Sequence, residues 1–184
     1  MRRGIDIDDV ITNTSEAMKD YIMKYDKNGD ISNHMEDVMR GDMTNPIIKK
    51  FFEENSAKIF TDAKMKENAN EVIQRWIDNG NEIVIITTRG EIRFKGSTEI
   101  TQNYFKLNNI PYTEILFNSF DKAEVCKKNN IDLMIDDSEK YCREVEKENI
   151  KSILFTSEIN RNINTTIERV NNWLQLEQKV KDMK

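Results

Sequence analysis

Short apolar runs that alternate with helical stripes leave this chain few ways to fold. Gly4 to Ile7, Glu82 to Thr87, Leu133 to Ile135 and Ser152 to Phe155 read as buried strands, with Glu114 to Phe117 as a weaker fifth. Between them, Ala69, Val72, Ile73, Trp76 and Ile77 form an apolar stripe at helical spacing that stops at Gly80. Ile100, Tyr104 and Leu107 form another, capped by Ser97 or Thr98. Helices are also expected over Asp121 to Lys128, Glu139 to Glu148 and Thr165 to about Val180. Strands alternating with helices predict an α/β fold, a parallel sheet covered on both faces with right-handed crossovers.

The alternation breaks once. Residues 13–66 carry helical patterns and no convincing strand. Tyr21, Ile22 and Tyr25 mark one helix, and Pro46 starts another with Ile47, Ile48, Phe51 and Phe52 on its apolar side. The expectation is a small helical cap inserted after the first strand, with residues 1–12 and 67–184 forming the core.

With 184 residues the chain can bury a real core as one domain. Two cysteines, Cys126 and Cys142, make no disulfide framework, and no apolar run approaches the roughly 18 residues of a membrane span. The charged first residues lead straight into a strand pattern, so no signal peptide and a cytoplasmic setting without a membrane partner are expected. A net charge of -5, from 28 basic and 33 acidic residues, argues against a nucleic-acid duplex as partner but allows a small phosphorylated ligand. The single histidine, His34, leaves no His cluster for zinc and one slender route to a nucleophile triad. Carboxylates remain the leading reactive groups.

In an open parallel sheet, ligands bind at the carboxyl ends of the strands. There the sequence sets Asp6, Asp8 and Asp9 after the first strand, Thr87, Thr88 and Arg89 after the second, and Asp136 and Asp137 after "DLMI"; Lys122 opens a helix beyond the weak strand. Asp6 and Asp8 are two apart, a spacing that on a strand points both to one side. Such carboxylate density needs a hard divalent cation, and all-oxygen ligands suit Mg2+. A cation with Thr87 and Lys122 is then a receptor for phosphoryl oxygens.

The stretches "GIDIDDV", "IVIITTR", "FDK" and "LMIDDS" resemble, in order, the four motifs of the haloacid dehalogenase superfamily of phosphohydrolases. The resemblance implies a Rossmann-like three-layer fold with strand order 5-4-1-2-3. It also implies Asp6 as the nucleophile that forms an aspartyl-phosphate, and Asp8 as the acid and base. Thr87, Thr88 and Lys122 are implied to bind phosphate. Mg2+ is implied to be held by Asp6, Asp136, the backbone carbonyl of Asp8 and, through a water, Asp137. The position after D-x-D, often Gly or Thr in relatives, is Asp9, expected to face solvent or cap the next segment.

A closer likeness is to type C 5'-nucleotidases, including deoxyribonucleotidases, on the helical insert, "TTR" and "DKAEVCKKNNIDLMIDDS". It implies a nucleoside monophosphate as substrate. Alternatives stay open: a phosphatase of sugar phosphates or other small metabolites, a receiver-like phosphorylation switch, or a phosphate binder without catalysis. Oligomeric state is not legible.

Other features have plainer readings. "DKNGDISNHMED" imitates a calcium loop but has Ile31 at its sixth position and Asp37 at its twelfth, so it reads as a helix-ending turn at Gly29. "RGD", Arg40 to Asp42, reads as a polar turn. Tyr21, Tyr25, Phe51, Phe52 and Phe60 can form the lobe's core or face a base. His34 is expected to be exposed and both cysteines buried.

Overall fold

In the computed structural model the first strand, β1 (Arg2–Ile5), lies at the middle of the sheet, where both faces are covered. The structure describes residues 1–39 and 41–183; Arg40, in the expected polar turn, and Lys184, at the charged tail, lie outside them. With β2 (Glu82–Ile86), β3 (Glu114–Leu116), β4 (Leu133–Asp136), β5 (Lys151–Phe155) and β6 (Arg169–Val170) it forms one sheet in the order β3-β2-β1-β4-β5-β6, and every pairing is parallel. The five anticipated strands therefore stand in the anticipated order, and β6 is an addition at the β5 edge.

The strands are apolar along their length because they are buried twice. Ile83, Ile85, Leu133, Ile135 and Ile153 share a cluster with Val72 and Trp76 of α4 (Ala69–Asp78), Phe105 of α5 (Ser97–Leu107) and Trp173 of α8 (Trp173–Asp182). Val84, Ile86 and Met134, pointing the other way, meet Cys126 of α6 (Lys122–Lys128) and Val145 of α7 (Glu139–Lys147). Gly4 leaves room on this second face, since a Cβ there would lie 2.8 Å from both Ile86 Cδ1 and Met134 Sδ. Each fully buried Ile or Val contributes about 1.5–3 kcal/mol. Both cysteines are buried, on α6 and α7.

One helix expectation fails. Thr165 to Val180 is not a single helix: Arg169 and Val170 pair with β5, and α8 begins only at Trp173, where the Asn172 side chain accepts from Gln175 N at 2.9 Å. The free edge of β5 takes up the segment, with Leu154 N and Thr156 N donating to Glu168 O and Val170 O at 2.8 Å each. Tertiary pairing outweighs a helical stripe that Asn171 and Asn172 weaken. The expected cap of α5 is corrected too: Gly96, not Ser97 or Thr98, holds the cap position, and Ser97 is the first helical residue, its Oγ accepting from Gly90 N at 3.0 Å.

The chain leaves the sheet at Thr12 and returns at Met65, where the two residues bridge. Asn13 N donates to Lys64 O and Lys66 N to Ile11 O, both at 2.8 Å. Between these points α1 (Thr14–Tyr25), α2 (Met35–Met39) and α3 (Pro46–Asp62) pack around Met18, Ile22, Val38, Ile48, Phe51 and Ile59. Asn45 caps α3 by accepting from Ile47 N at 2.9 Å, and Pro46 takes its first turn. Past α1 the chain turns at Gly29, and Asp26 accepts from Ile31 N and Ser32 N. His34 is half-exposed, 3.9 Å from Asp37. Tyr104 OH donates to Ala63 O at 2.7 Å and Trp173 Nε1 to Val10 O at 2.9 Å, so lobe exit and post-β1 turn are both held by the core.

Candidate active site

β1 ends at Ile5, one residue before the acids begin, so strand alternation does not set Asp6 and Asp8. Asp6 N extends the ladder by donating to Ile135 O at 2.9 Å, and the chain then turns as Ile11 N and Thr12 N both donate to Ile7 O. The expectation that both acids project from the strand is corrected accordingly. The turn, held by hydrogen bonds, delivers each acid to its own cation.

Asp6 lies 2.9 Å from Lys122 Nζ, which also donates to Asp136 Oδ2 at 2.7 Å. Lys122 is placed there because Asp121 caps α6, accepting from Glu124 N at 2.9 Å. Its ammonium is buried, and the ring of Tyr141 lies over it at 4.8 Å. Asp136 closes β4 and accepts from Ser138 N at 2.9 Å through its other oxygen. One carboxylate oxygen each of Asp6, Asp136 and Asp137 lie within 4.8 Å of one another.

Burial pushes Asp6 up to about 7, with Lys122 pulling it down and Asp136 and Asp8 adding repulsion. Asp137 stands well above the usual carboxylate range, first from burial and then from Asp136, Asp9 and Asp6. For Lys122 burial acts downward, yet Asp136 and Asp6 hold it above the ordinary lysine value. One ammonium thus serves carboxylates that repel one another, and their oxygens are hard donors. This donor set fits a divalent cation such as Mg2+.

Asp8 belongs to a different pair. Arg89 Nη2 donates to Asp8 Oδ1 at 2.6 Å and Nε to Oδ2 at 3.2 Å, while Thr14 Oγ1 donates to Oδ1 at 2.7 Å. Burial alone raises Asp8, but the Arg89 charge and these hydrogen bonds bring it below the ordinary value. Asp9 is buried, with φ of 56°, and its carboxylate accepts from Ser15 N at 3.0 Å and from Ser15 Oγ. Of the two anticipated fates for Asp9, it takes the second and caps the start of α1. The left-handed φ explains how Asp occupies a position suited to Gly.

The two threonines separate. Thr87 is fully buried, its Oγ1 accepting from Arg89 N at 3.1 Å, whereas Thr88 reaches the cavity wall. The loop that follows needs Gly90: φ is 146° there, and a Cβ would lie 2.3 Å from Asn118 Oδ1.

These groups line one side of a cavity of about 450 Å³ that contains Asp6, Asp8, Thr88, Lys122, Asp136 and Asp137. The lobe lines the other with Met18, Val38, Met39, Met43, Phe52 and Phe60. Among the aromatic residues singled out in the lobe, Phe52 and Phe60 reach the cavity, and Phe51 stays in the lobe cluster. Thr14 and Tyr141 were missed by sequence reasoning. Thr14 carries no signal beyond its nearness to "DIDD", and Tyr141 none beyond standing on the helix that follows the acidic pair.

A sequence model of the family described as "5' nucleotidase, deoxy (Pyrimidine), cytosolic type C protein" matches residues 3–184. No curated protein sequence matches the chain significantly. Among solved structures, a predicted phosphatase from Clostridium acetobutylicum is similar at 19% identity and a TM-score of 0.69, over 98% of each chain. A haloacid dehalogenase-like hydrolase from Streptococcus pneumoniae is similar at 13% identity and a TM-score of 0.63, over 99% of this chain and 97% of that one. CbbY from Rhodobacter sphaeroides, in complex with xylulose-1,5-bisphosphate, is similar at 10% identity and a TM-score of 0.66, over 93% of each. At these identities the structural likenesses speak for the fold.

Proposed function

The chain belongs to the cytosolic type C 5'-nucleotidase family, and from that premise we propose that it is a Mg2+-dependent phosphomonoester hydrolase whose substrate is a nucleoside or deoxynucleoside 5'-monophosphate. The observation that carries the reading is the two-sided cavity: paired carboxylates and Lys122 on the sheet side, apolar and aromatic side chains on the lobe side. A phosphoryl group suits the first and a nucleobase the second. Residues 13–66 act as a cap over a core formed by residues 1–12 and 67–184, in a cytoplasmic enzyme.

In this reading an Asp6 oxygen attacks phosphorus while the bond from phosphorus to the ester oxygen breaks; Asp8, a carboxylate in the ligand-free protein, takes up a proton as the negatively charged phosphoryl group enters beside it and gives that proton to the departing oxygen. Water then attacks the aspartyl-phosphate. Asp8 takes the water's proton, the bond between Asp6 and phosphorus breaks, and inorganic phosphate leaves with the carboxylate restored. Lys122, Thr87 and Thr88 hold the phosphoryl oxygens; Thr87 Oγ1 accepts from Arg89 N and keeps its own proton to donate. Asp6, Asp136 and the Asp8 carbonyl, with Asp137 through a water, would hold Mg2+, which when bound supplies positive charge to the phosphoryl oxygens.

The test is phosphate release across a panel of nucleoside monophosphates, sugar phosphates and small alkyl phosphates, with Mg2+ and with chelator. Mg2+-dependent turnover fastest on nucleotides is expected. A sugar phosphate hydrolysed far faster than any nucleotide would end the nucleotidase reading, and a long-lived phosphoaspartate without turnover would replace it with a switch.

A further inference from the structure

We propose that Arg89 and Thr14 are positioning residues for Asp8: together they occupy Oδ1 of its carboxylate and leave Oδ2 as the oxygen that exchanges the proton with the departing alcohol. The inference rests on the acid and base role given to Asp8 above. Oδ1 receives two short hydrogen bonds, 2.6 Å from Arg89 Nη2 and 2.7 Å from Thr14 Oγ1. Two donors fill both of its lone pairs. Oδ2 receives one longer bond, 3.2 Å from Arg89 Nε, and keeps a lone pair for the cavity that Asp8 borders.

The donors are themselves fixed. Arg89 is 1% exposed, and the Phe60 ring lies 3.8 Å from its guanidinium carbon. Its backbone N donates to Thr87 Oγ1, which sets the side chain's origin at the end of β2. Arg89 Nη1 is buried without a hydrogen-bond partner among the described residues, so the guanidinium is held in place chiefly by Asp8 and Phe60. Thr14 Oγ1 accepts from Arg89 Nη2 at 3.4 Å and lies 2.7 Å from Thr12 Oγ1, whose own hydroxyl donates to Ile7 O at 3.1 Å. Each hydroxyl has one proton, so the Thr14 proton reaches Asp8 when Thr12 turns its own proton from Ile7 O to Thr14 Oγ1. A planar fork engaging both oxygens fixes the plane of the carboxylate as well as its position, which an ammonium could not do.

The arrangement also ties the acid to the lobe, because Thr14 begins α1 and Phe60 stands in the last turns of α3. Among the described residues Asp6 has no such tie; Lys122, itself shared with Asp136, holds it from the core.

Leaving groups separate this role from a structural one. A p-nitrophenolate departs without protonation, whereas an alkoxide needs Asp8. kcat/KM is measured with Mg2+ for p-nitrophenyl phosphate and an alkyl monophosphate in wild type, Asp8→Asn, Arg89→Gln, Arg89→Lys, Thr14→Val and the Asp8→Asn/Arg89→Gln double variant. Arg89→Gln is expected to lower the alkyl ester by about 100-fold and the aryl ester by no more than about threefold, on the scale of general-acid catalysis. Thr14→Val, which keeps the buried shape, should lower the alkyl ester about fivefold, and Arg89→Lys should recover only part of the loss. The double variant should match Asp8→Asn alone.

Equal losses on both esters, or a double variant much worse than Asp8→Asn, would overturn the proposal. If Arg89→Gln does not fold, as judged by its melting transition, Thr14→Val decides by the same ratio. Asp8→Asn sparing the alkyl ester would instead remove the acid role of Asp8, and this inference with it.

Discussion

On the sheet side of the cavity nearly every reactive side chain is tied to another by charge: Asp6 and Asp136 share Lys122, and Asp8 is gripped by Arg89. The lobe side is mostly Met18, Val38, Met39, Met43, Phe52 and Phe60, with Ser15 and Ser56 among them, and these side chains offer shape and apolar surface and no charge. Charged groups at short range hold one geometry, because moving any of them leaves its partner buried and unpaired. Apolar contacts are non-directional and accept any ligand that fills the space. The sheet side is therefore suited to one reaction on one group, and the lobe side to choosing what carries that group.

Replacing Asp6 is the harshest way to test this division. Asp6→Asn should lower kcat by about 10³-fold or more on every ester, aryl or nucleotide, while the protein still folds. If nucleotides alone were affected, the chemistry would not reside on the sheet side.

A second test uses the excess of acids. Asp6 is held to about 7 against an ordinary 3.8, and Asp137 is raised as well, so between these limits the folded protein binds protons that the unfolded chain has lost. Metal-free protein should therefore lose stability as pH rises from about 4 towards 7. Asp8 works with the opposite sign, since its contribution is present above the ordinary carboxylate range and is lost only at lower pH. Mg2+ should raise the melting temperature, and by more at pH 8 than at pH 5. A Mg2+ effect that is equal at both pH values would argue that these carboxylates do not hold the metal.

The mildest change is expected on the lobe. Phe52→Ala should raise KM for a nucleotide about tenfold, leave kcat within about threefold and spare p-nitrophenyl phosphate, the scale of one lost ring contact. Phe51→Ala, next to it but in the lobe's own cluster, should lower stability by about 3 kcal/mol without changing substrate preference. If the two variants behave alike, the lobe is only scaffold.

Much of the core was legible because its signals are local. Ile83 to Ile86 read as a strand buried on both faces, and Pro46 marks the start of α3. The acids at strand ends were legible for the same reason: a carboxylate next to an apolar run needs a partner, and the number of such runs was readable. The split of Thr165 to Val180 into β6 and α8 was not, since what decides it is the unpaired edge of β5, far away in sequence. Nor was the difference between Thr87 and Thr88, which depends on how the chain turns after β2.

The sequence by itself determined the parallel α/β framework, the helical insertion after β1 and the set of carboxylates, hydroxyls and lysine at one edge of the sheet. Those properties follow from residue type and spacing within short segments. Tertiary structure alone decided that Asp8 pairs with Arg89 instead of Lys122, that Asp9 turns away to Ser15, and that Phe52 faces the cavity while Phe51 does not. Each of these depends on distances between segments that only packing brings together. Asp8 and Arg89 are 81 residues apart in the chain and 2.6 Å apart in space.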